Sequence, residues 1–179
     1  ATPLVAGAPG SRYDLVLNNL YFRGRVPRLF SMAEFDVLAA GELAKPVPIY
    51  AVHRAQGHPV VGTTHEYYGF RGLRVAAGTL PARLGDAVLG AAVASELQLT
   101  AGDTLLSDAA NTYDLTRGYP LRMRVSGVLA PQGTADDNAV FVDLKTAWII
   151  DGIAHGHAPA DQQRADRVIR RDAQGVVLD

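Results

Sequence analysis

Two histidines, His155 and His157, are the side chains in this sequence whose type and spacing best suit metal chemistry. Imidazole nitrogens bind zinc and copper, and a third ligand is available from Asp151, Asp161 or a distant histidine. Gly156 separates the two histidines, and a glycine-containing run of this kind is also typical of a solvated loop after a helix. The pattern therefore predicts either a zinc site at these residues or a surface loop.

Other catalytic patterns in the sequence are incomplete. His65-Glu66 begins the HExxH pattern of zinc proteases, but Gly69 occupies the position of its second histidine. Asp136 and Asp137 supply oxygen ligands for calcium, yet they lack the EF-hand spacing and fit a turn before a strand. The sequence contains no G-x-S-x-G elbow and no phosphate loop ending in G-K-[ST]. We therefore predict no catalytic residue, and an enzyme of unrecognised type remains as an alternative.

Three aromatic side chains follow His65 closely, namely Tyr67, Tyr68 and Phe70. Tyrosine is enriched among the residues that anchor a protein partner. The cluster therefore predicts a contact surface for a partner or a substrate. The alternative is that two of the three side chains are buried in the fold.

The most informative stretch for the elements that position these residues is 120–150. Hydrophobic and polar residues alternate from Leu121 to Ser126, which predicts a half-buried strand. The alternation slips at Gly127, which predicts a bulge or a bend. A turn at 131–138, a strand at 139–142 and a helix from Leu144 with Asp143 as its N-cap are predicted to follow.

The remaining segments predict an alternation of short strands and helices. Apolar runs predict strands at 4–6, 47–52, 60–63, 73–76, 87–89 and 104–106. Helices are predicted from Ser11 to about Phe22, from Ser31, from Gly90, and from Asp161 to about Arg171 with a strand after it. In the second of these helices Ser31 and Glu34 form a capping box, and we expect Phe35, Leu38 and Ala39 to face inward.

This order of elements predicts an α+β fold with two lobes. Residues 1–57 form an α+β lobe that is completed by 146–179 or by residues beyond the fragment, and residues 58–145 form a mixed α/β lobe of short strands. Residues 54–59 and 131–138 combine glycine and proline with polar neighbours, so we expect them to act as hinges.

Composition narrows the classes of function. The 179 residues carry a net charge of −1 and no basic stripe of the kind that marks a nucleic-acid binder. Cysteine is absent, which excludes disulfides and thiolate metal sites in this sequence. The sequence has no apolar run of the length, about 18 residues, that spans a bilayer. It begins at Ala1 without a methionine, which suggests an excised or processed piece of a longer protein.

Four stretches together resemble the extracytoplasmic domain of MacB/FtsX/LolC-type ABC transporter permeases. They are PLVAGAPGSRYDLVLNNLYF (3–22), PVVGTTHEYY (59–68), VLGAAVASELQLTAGDTL (88–105) and MRVSGVLAPQGTADDNAVFVDLKTAW (123–148). In that family a unit of the form VLG…A..L.L..GD.L precedes a unit of the form V.GVL…G…D.AVFV.L..AW. The resemblance covers residues 3–157 of the chain.

The resemblance implies a domain that does no chemistry of its own. A porter-like lobe (1–57) and an inserted α/β lobe (58–145) would lie between membrane helices and relay conformational change from a separate cytoplasmic ATPase subunit, which binds the ATP. It also implies a periplasmic or extracellular location at the inner membrane, a permease homodimer, and contact with substrate or a periplasmic partner protein. No cofactor and no nucleic acid is expected. The alternative is a zinc sensor or zinc export domain that uses His155 and His157.

Overall fold

The computed structural model describes residues 4–41, 44–109, 120–152, 168–172 and 175–178. These residues form five α-helices, namely α1 (Arg12–Tyr21), α2 (Met32–Ala40), α3 (Glu66–Arg71), α4 (Ala91–Leu97) and α5 (Leu144–Ile150), and a 3₁₀ turn at Ala135–Asn138. They also form strands β1 (Tyr50–Ala55), β2 (His58–Thr63), β3 (Val75–Gly78), β4 (Asp86–Leu89), β5 (Thr104–Leu106), β6 (Arg122–Leu129), β7 (Val140–Asp143), β8 (Val168–Asp172) and β9 (Gly175–Leu178). The predicted mixture of helices and short strands is confirmed.

Seven of the strands form one mixed sheet. Its order is β1-β2-β7-β4-β6-β3, and β5 pairs with the first half of β6 while β3 pairs with the second half. The β2–β7 and β4–β6 pairs are parallel, whereas the other pairs in this sheet are antiparallel. Strands β8 and β9 form a separate antiparallel pair. Parallel pairs need long connections, so the central strands come from distant parts of the sequence.

The sheet is buried on both faces. Along β7, Val140 and Val142 point into a cluster with α4 and α5, whereas Phe141 points into a second cluster with α3 and Phe22 at the end of α1. Strand β4 divides in the same way, with Val88 on the Phe141 side. Side chains alternate between the two faces along a strand, so a sheet that is covered on both faces requires continuous apolar runs such as residues 140–142.

The predicted helix starts in the first 40 residues are confirmed, but the expected packing of α2 is wrong. Ser11 accepts a hydrogen bond from the backbone N–H of Asp14, and Ser31 and Glu34 form a reciprocal capping box. The inward-facing prediction for Phe35, Leu38 and Ala39 fails, because Phe35 is only half-buried and Leu38 and Ala39 are exposed. A capping box specifies where a helix begins and not whether another element covers it.

Several predicted strands are shifted or absent. Residues 4–6 form no regular structure, and the strand predicted at 47–52 begins only at Tyr50. Pro46 and Pro48 lack the backbone N–H needed for a ladder, which accounts for the late start. The helix predicted to reach Arg171 is wrong over 168–171, which belong to β8, and 161–167 lie outside the described residues.

The bulge predicted at Gly127 is confirmed. Between β4 and β6 the register moves from Ala87–Val125 to Val88–Gly127, so Ser126 is the extra residue. A Cβ at Gly127 would lie 2.6 Å from the carbonyl oxygen of Thr79. The close approach of the Thr79 segment therefore requires glycine at this point of the strand.

The boundary predicted between the two lobes falls in the hairpin turn between β1 and β2. Next to this turn, Arg54 and Ala55 of β1 pair with Pro59 and His58 of β2. Gln56 and Gly57 form the tip with positive φ angles of 48° and 82°. The Asp108 carboxylate accepts hydrogen bonds from both of their backbone N–H groups, at 2.7 and 3.1 Å. The division into two lobes stays a prediction, as does the hinge at 54–59.

Candidate functional site

A buried carboxylate, Asp136, is the centre of one polar cluster in the described part of the chain. It is 1% exposed and accepts hydrogen bonds from Tyr67 Oη at 2.6 Å, Arg71 Nη2 at 2.7 Å and Thr134 Oγ1 at 2.8 Å. Burial raises the pKa of Asp136, but the hydrogen bonds from Arg71, Tyr67 and Thr134 outweigh burial and hold the pKa below its usual value. The carboxylate is therefore charged at neutral pH and ties α3 to the β6–β7 connection.

The rest of the β6–β7 connection is held by its own side chains. The carboxylate of Asp137 accepts hydrogen bonds from the backbone N–H groups of Gln132 and Gly133, the latter at 2.7 Å. The connection also packs on the start of α4, since a Cβ at Gly90 would lie 2.3 Å from the carbonyl oxygen of Asp136. The turn predicted at 131–138 is thus confirmed, and both aspartates act as hydrogen-bond acceptors within it. Its role as a hinge stays a prediction.

The aromatic residues predicted as a contact surface divide between core and surface. Tyr67 and Tyr68 are buried, and their rings pack against Phe141, with centroids 5.5 and 6.0 Å away. Phe70 is 49% exposed. The alternative of two buried aromatic side chains is therefore the arrangement in the structure, and the partner contact stays a prediction for Phe70.

A second polar cluster joins β1 to the end of α5. The side chain of His53 is 8% exposed, and its Nε2 lies 3.3 Å from Asp151 Oδ1 without forming a hydrogen bond. Tyr50 Oη donates a hydrogen bond to the other oxygen, Asp151 Oδ2, at 2.8 Å. Burial lowers the pKa of His53 against the opposing attraction of Asp151, so the imidazole is neutral at pH 7.

The other histidines of the described residues have different surroundings. Nε2 of His58 lies 3.8 Å from an exposed carboxylate, Glu96, and His65 Nε2 lies 2.7 Å from the carbonyl oxygen of Pro81. No group of three or more histidine, aspartate or glutamate side chains in the described part of the chain is arranged to hold a metal ion. His155 and His157 lie outside the described residues, so the zinc site predicted there stays a prediction.

The described residues also form two surface clefts of about 490 Å³ each. One is lined by Phe35, Ala39, Ala44, Lys45, Pro46, Pro48, Thr64 and Glu66, and the other by Tyr21, Phe22, Arg23, Arg54, Gly57, His58, Pro59, Thr134, Ala135 and Asn138. Neither lining includes Asp136, His53 or Asp151. Of the cluster residues named above, Thr134 alone lines a cleft, so the two clusters mainly connect elements of the fold.

Sequence reasoning missed the partners of Asp136 and the burial of His53. Tyr67 and Arg71 are four residues apart on α3, a spacing that places two side chains on one helix face, and this signal could have suggested a shared partner. For His53, nothing in the sequence distinguishes a buried histidine from one on the solvent face of β1. Both clusters depend on contacts between residues that are far apart in the chain.

In the described residues, no helix combines the length and apolar character that a membrane span requires. In a comparison with protein families, the family described as the MacB-like periplasmic core domain matches residues 7–172. A comparison with curated proteins gives no match.

Proposed function

We propose that this chain, which belongs to the MacB-like periplasmic core domain family, relays conformational change between a cytoplasmic ATPase and the far side of the membrane. The family is that of periplasmic domains of MacB/FtsX/LolC-type permeases, in which ATP hydrolysis is assigned to a separate subunit. The observation that carries the proposal is the match over residues 7–172, which takes in nearly every described element. A relay needs no catalytic residue in this domain.

The packing of the described residues supports a mechanical role. A sheet buried on both faces resists internal shear, because close-packed protein interiors have few voids into which side chains can move. The Asp136 cluster adds a direct connection between α3 and the β6–β7 connection. Elements that are linked in this way move together, as the rigid parts of a hinge-type transition do.

The partners that we propose follow from the permease context. A cytoplasmic ATPase subunit binds and hydrolyses ATP, two copies of the permease form a homodimer, and the domain lies in the periplasm, where it contacts substrate or a partner protein. Phe70 is the candidate contact residue, because half of its side chain is exposed beside the buried pair Tyr67 and Tyr68. Exposed aromatic side chains are enriched among the residues that anchor partners.

The relay is tested by distance measurements on the complete permease with its ATPase. This chain has no cysteine, so Leu84→Cys and Leu106→Cys place spin labels at sites that are 60% and 50% exposed. With one label per copy at residue 84, we expect the distance between the two copies to change when a non-hydrolysable ATP analogue is added. With both labels in one copy, the distance between residues 84 and 106 stays constant and serves as the control.

Three results would contradict the proposal. An unchanged distance between copies in both nucleotide states would remove the relay, and an absent dipolar coupling between copies would remove the homodimer. A nucleotide-dependent distance within one copy would mean that the domain deforms and does not move as one body.

A second candidate function is a zinc sensor or zinc export domain that uses His155 and His157. The observation that favours it is the carboxylate of Asp151, four residues before His155 in the sequence, which faces a buried histidine side chain. Calorimetric titration of the purified chain with zinc tests it. Submicromolar binding that is lost in the double variant His155→Ala/His157→Ala is expected, and flat heats would remove this candidate.

A further inference from the structure

One of the two surface clefts, which we call the basic cleft, concentrates positive charge. The described residues that line it include Arg23, Arg54 and His58 but no aspartate or glutamate. The whole chain has a net charge of −1, so two arginines in one cleft of about 490 Å³ are a local feature and not a consequence of composition. Small-molecule ligands are typically held in clefts of about 300–1,000 Å³. The basic cleft therefore has the volume of a ligand site.

Both arginines have side-chain donors available for a ligand. Arg23 is exposed, and its guanidinium makes no hydrogen bond or ion pair within the described part of the chain. Arg54 Nη1 donates to the carbonyl oxygen of Gly57 at 2.6 Å, which holds this guanidinium at the β1–β2 turn and leaves its other N–H groups without a described partner. A guanidinium presents several N–H donors in a planar fork, which matches the oxygens of a carboxylate or a phosphate group.

The carboxylates that contact lining residues already have partners. Both oxygens of Asp108 accept hydrogen bonds from backbone N–H groups of the β1–β2 turn. Asp136 forms an ion pair with Arg71, and Glu96 lies 3.8 Å from His58. No described carboxylate forms an ion pair with either arginine of the basic cleft, so their positive charge is available to a ligand.

The end of α1 holds one wall of the basic cleft in place. Phe22 ends the helix with φ of 53°, a conformation that bulky residues rarely adopt. Its side chain is 4% exposed and packs edge-on against Phe141, with ring centroids 6.1 Å apart. Because Phe22 is anchored in the core, its neighbours Tyr21 and Arg23 are held at the cleft. Tyr21 is 54% exposed, so a flat apolar part of a ligand can stack on its ring.

We propose that the basic cleft binds a small molecule that carries an oxyanion, either a carboxylate or a phosphate group. Arg23 and Arg54 bind the oxyanion, and Tyr21 contacts an adjoining apolar part. The inference goes beyond the proposed relay and does not rest on it, because the cleft lies within this domain. Both segments that the sequence predicts as hinges, 54–59 and 131–138, contribute lining residues, so a bound ligand connects them to the end of α1.

The experiment is a titration of the purified, ¹⁵N-labelled 179-residue chain, followed by backbone amide chemical shifts. The probes are phenyl phosphate, benzoate and, as a ring without an oxyanion, phenol. Saturable shifts are expected at Arg23, Gly57 and Asn138 with at least one of the two acids, and the tighter acid identifies the oxyanion. Phenol is expected to bind at least about tenfold more weakly, because it cannot form charge-assisted hydrogen bonds with the arginines.

Substitutions test which residues bind the probe. Arg23→Gln and Arg54→Gln are each expected to weaken binding of the tighter acid at least about fivefold. The matched control is Arg25→Gln, which removes the same charge from an exposed residue that does not line the cleft, and a change of less than about twofold is expected. Tyr21→Ala is expected to weaken binding of phenyl phosphate or benzoate but not of inorganic phosphate or acetate, which have no ring.

Three outcomes would overturn the proposal. They are no saturable shift with either acid up to about 10 mM, phenol binding as tight as that of the acids, or an equal loss of affinity in Arg25→Gln and Arg23→Gln. The Arg23 guanidinium has no partner among the described residues, so its substitution is not expected to disturb the fold, and an unchanged thermal midpoint checks this for each variant. None of these outcomes bears on the relay, which is tested by distances in the complete permease.

Discussion

Removal of the Asp136 carboxylate is expected to destabilise the domain strongly. In Asp136→Ala the hydroxyl of Tyr67, which is 2% exposed, loses its acceptor, and the Arg71 guanidinium loses its hydrogen bonds to the carboxylate. Breaking a buried, hydrogen-bonded ion pair from one side typically costs about 3–5 kcal/mol. Arg71 is 21% exposed in its side chain, so water recovers part of the loss and about 3 kcal/mol is the expected change in the free energy of unfolding.

Urea denaturation of the purified chain, followed by far-ultraviolet circular dichroism, measures this change. The matched control is Asp137→Ala. Asp137 lies next to Asp136, but its carboxylate accepts hydrogen bonds from backbone N–H groups of a partly exposed loop. Its removal is expected to lower the free energy of unfolding by about 1 kcal/mol. A double-mutant cycle with Tyr67→Phe isolates the Tyr67–Asp136 bond, and a coupling of about 0.5–3 kcal/mol is expected. A loss below about 1 kcal/mol in Asp136→Ala, or one no larger than in Asp137→Ala, would refute the reasoning.

Three further outcomes are expected. The pKa of Asp136 is lower in the folded than in the unfolded state. Its ionised carboxylate therefore stabilises the fold above the unfolded-state pKa of about 3.9, and this contribution is lost as pH falls through the folded-state pKa. In urea titrations below about pH 4, the difference in free energy of unfolding between wild type and Asp136→Asn is expected to narrow. Gly127→Ala forces a Cβ against the Thr79 carbonyl oxygen and is expected to lower the free energy of unfolding by about 1–3 kcal/mol. The control is Gly69→Ala, whose added Cβ meets open space and should be neutral or stabilising. Equal thermal midpoints for the two variants would contradict the expected difference. Ser31→Ala removes the N-cap of α2 and is expected to speed amide exchange over the first turn of that helix, with a local cost of about 1 kcal/mol, while exchange in β7 stays unchanged.

Local signals in the sequence were sufficient for much of the secondary structure. Ser31 with Glu34, and Asp143 before Leu144, specify helix starts through hydrogen bonds between residues at most three positions apart. The slip at Gly127 identified the bulge, since a break in alternation is a property of neighbouring residues. The strand predicted at 47–52 begins late, at Tyr50, because the missing N–H groups of Pro46 and Pro48 outweigh apolar composition.

The sheet order and the polar clusters could not be predicted from the sequence. The parallel β2–β7 pair joins Val60 to Val140, and neither residue carries a local signal of the other. His53 and Asp151 lie close together only because α5 packs on β1 and β2, a contact that depends on that sheet order. The family resemblance, in contrast, was recognisable from motif order alone, and the match over residues 7–172 confirms it.

The tip of the β1–β2 hairpin has a consequence for engineering. Exposed two-residue turns are the usual places for an epitope tag or a circular permutation, because little is lost when such a tip is opened. The Asp108 carboxylate accepts hydrogen bonds from the backbone N–H groups of Gln56 and Gly57. An insertion at this tip would break both bonds and so detach the segment that follows β5. The turn at Gly72 ends α3 with φ of 68°, a Cβ added there would meet open space, and it is the better site for an inserted segment.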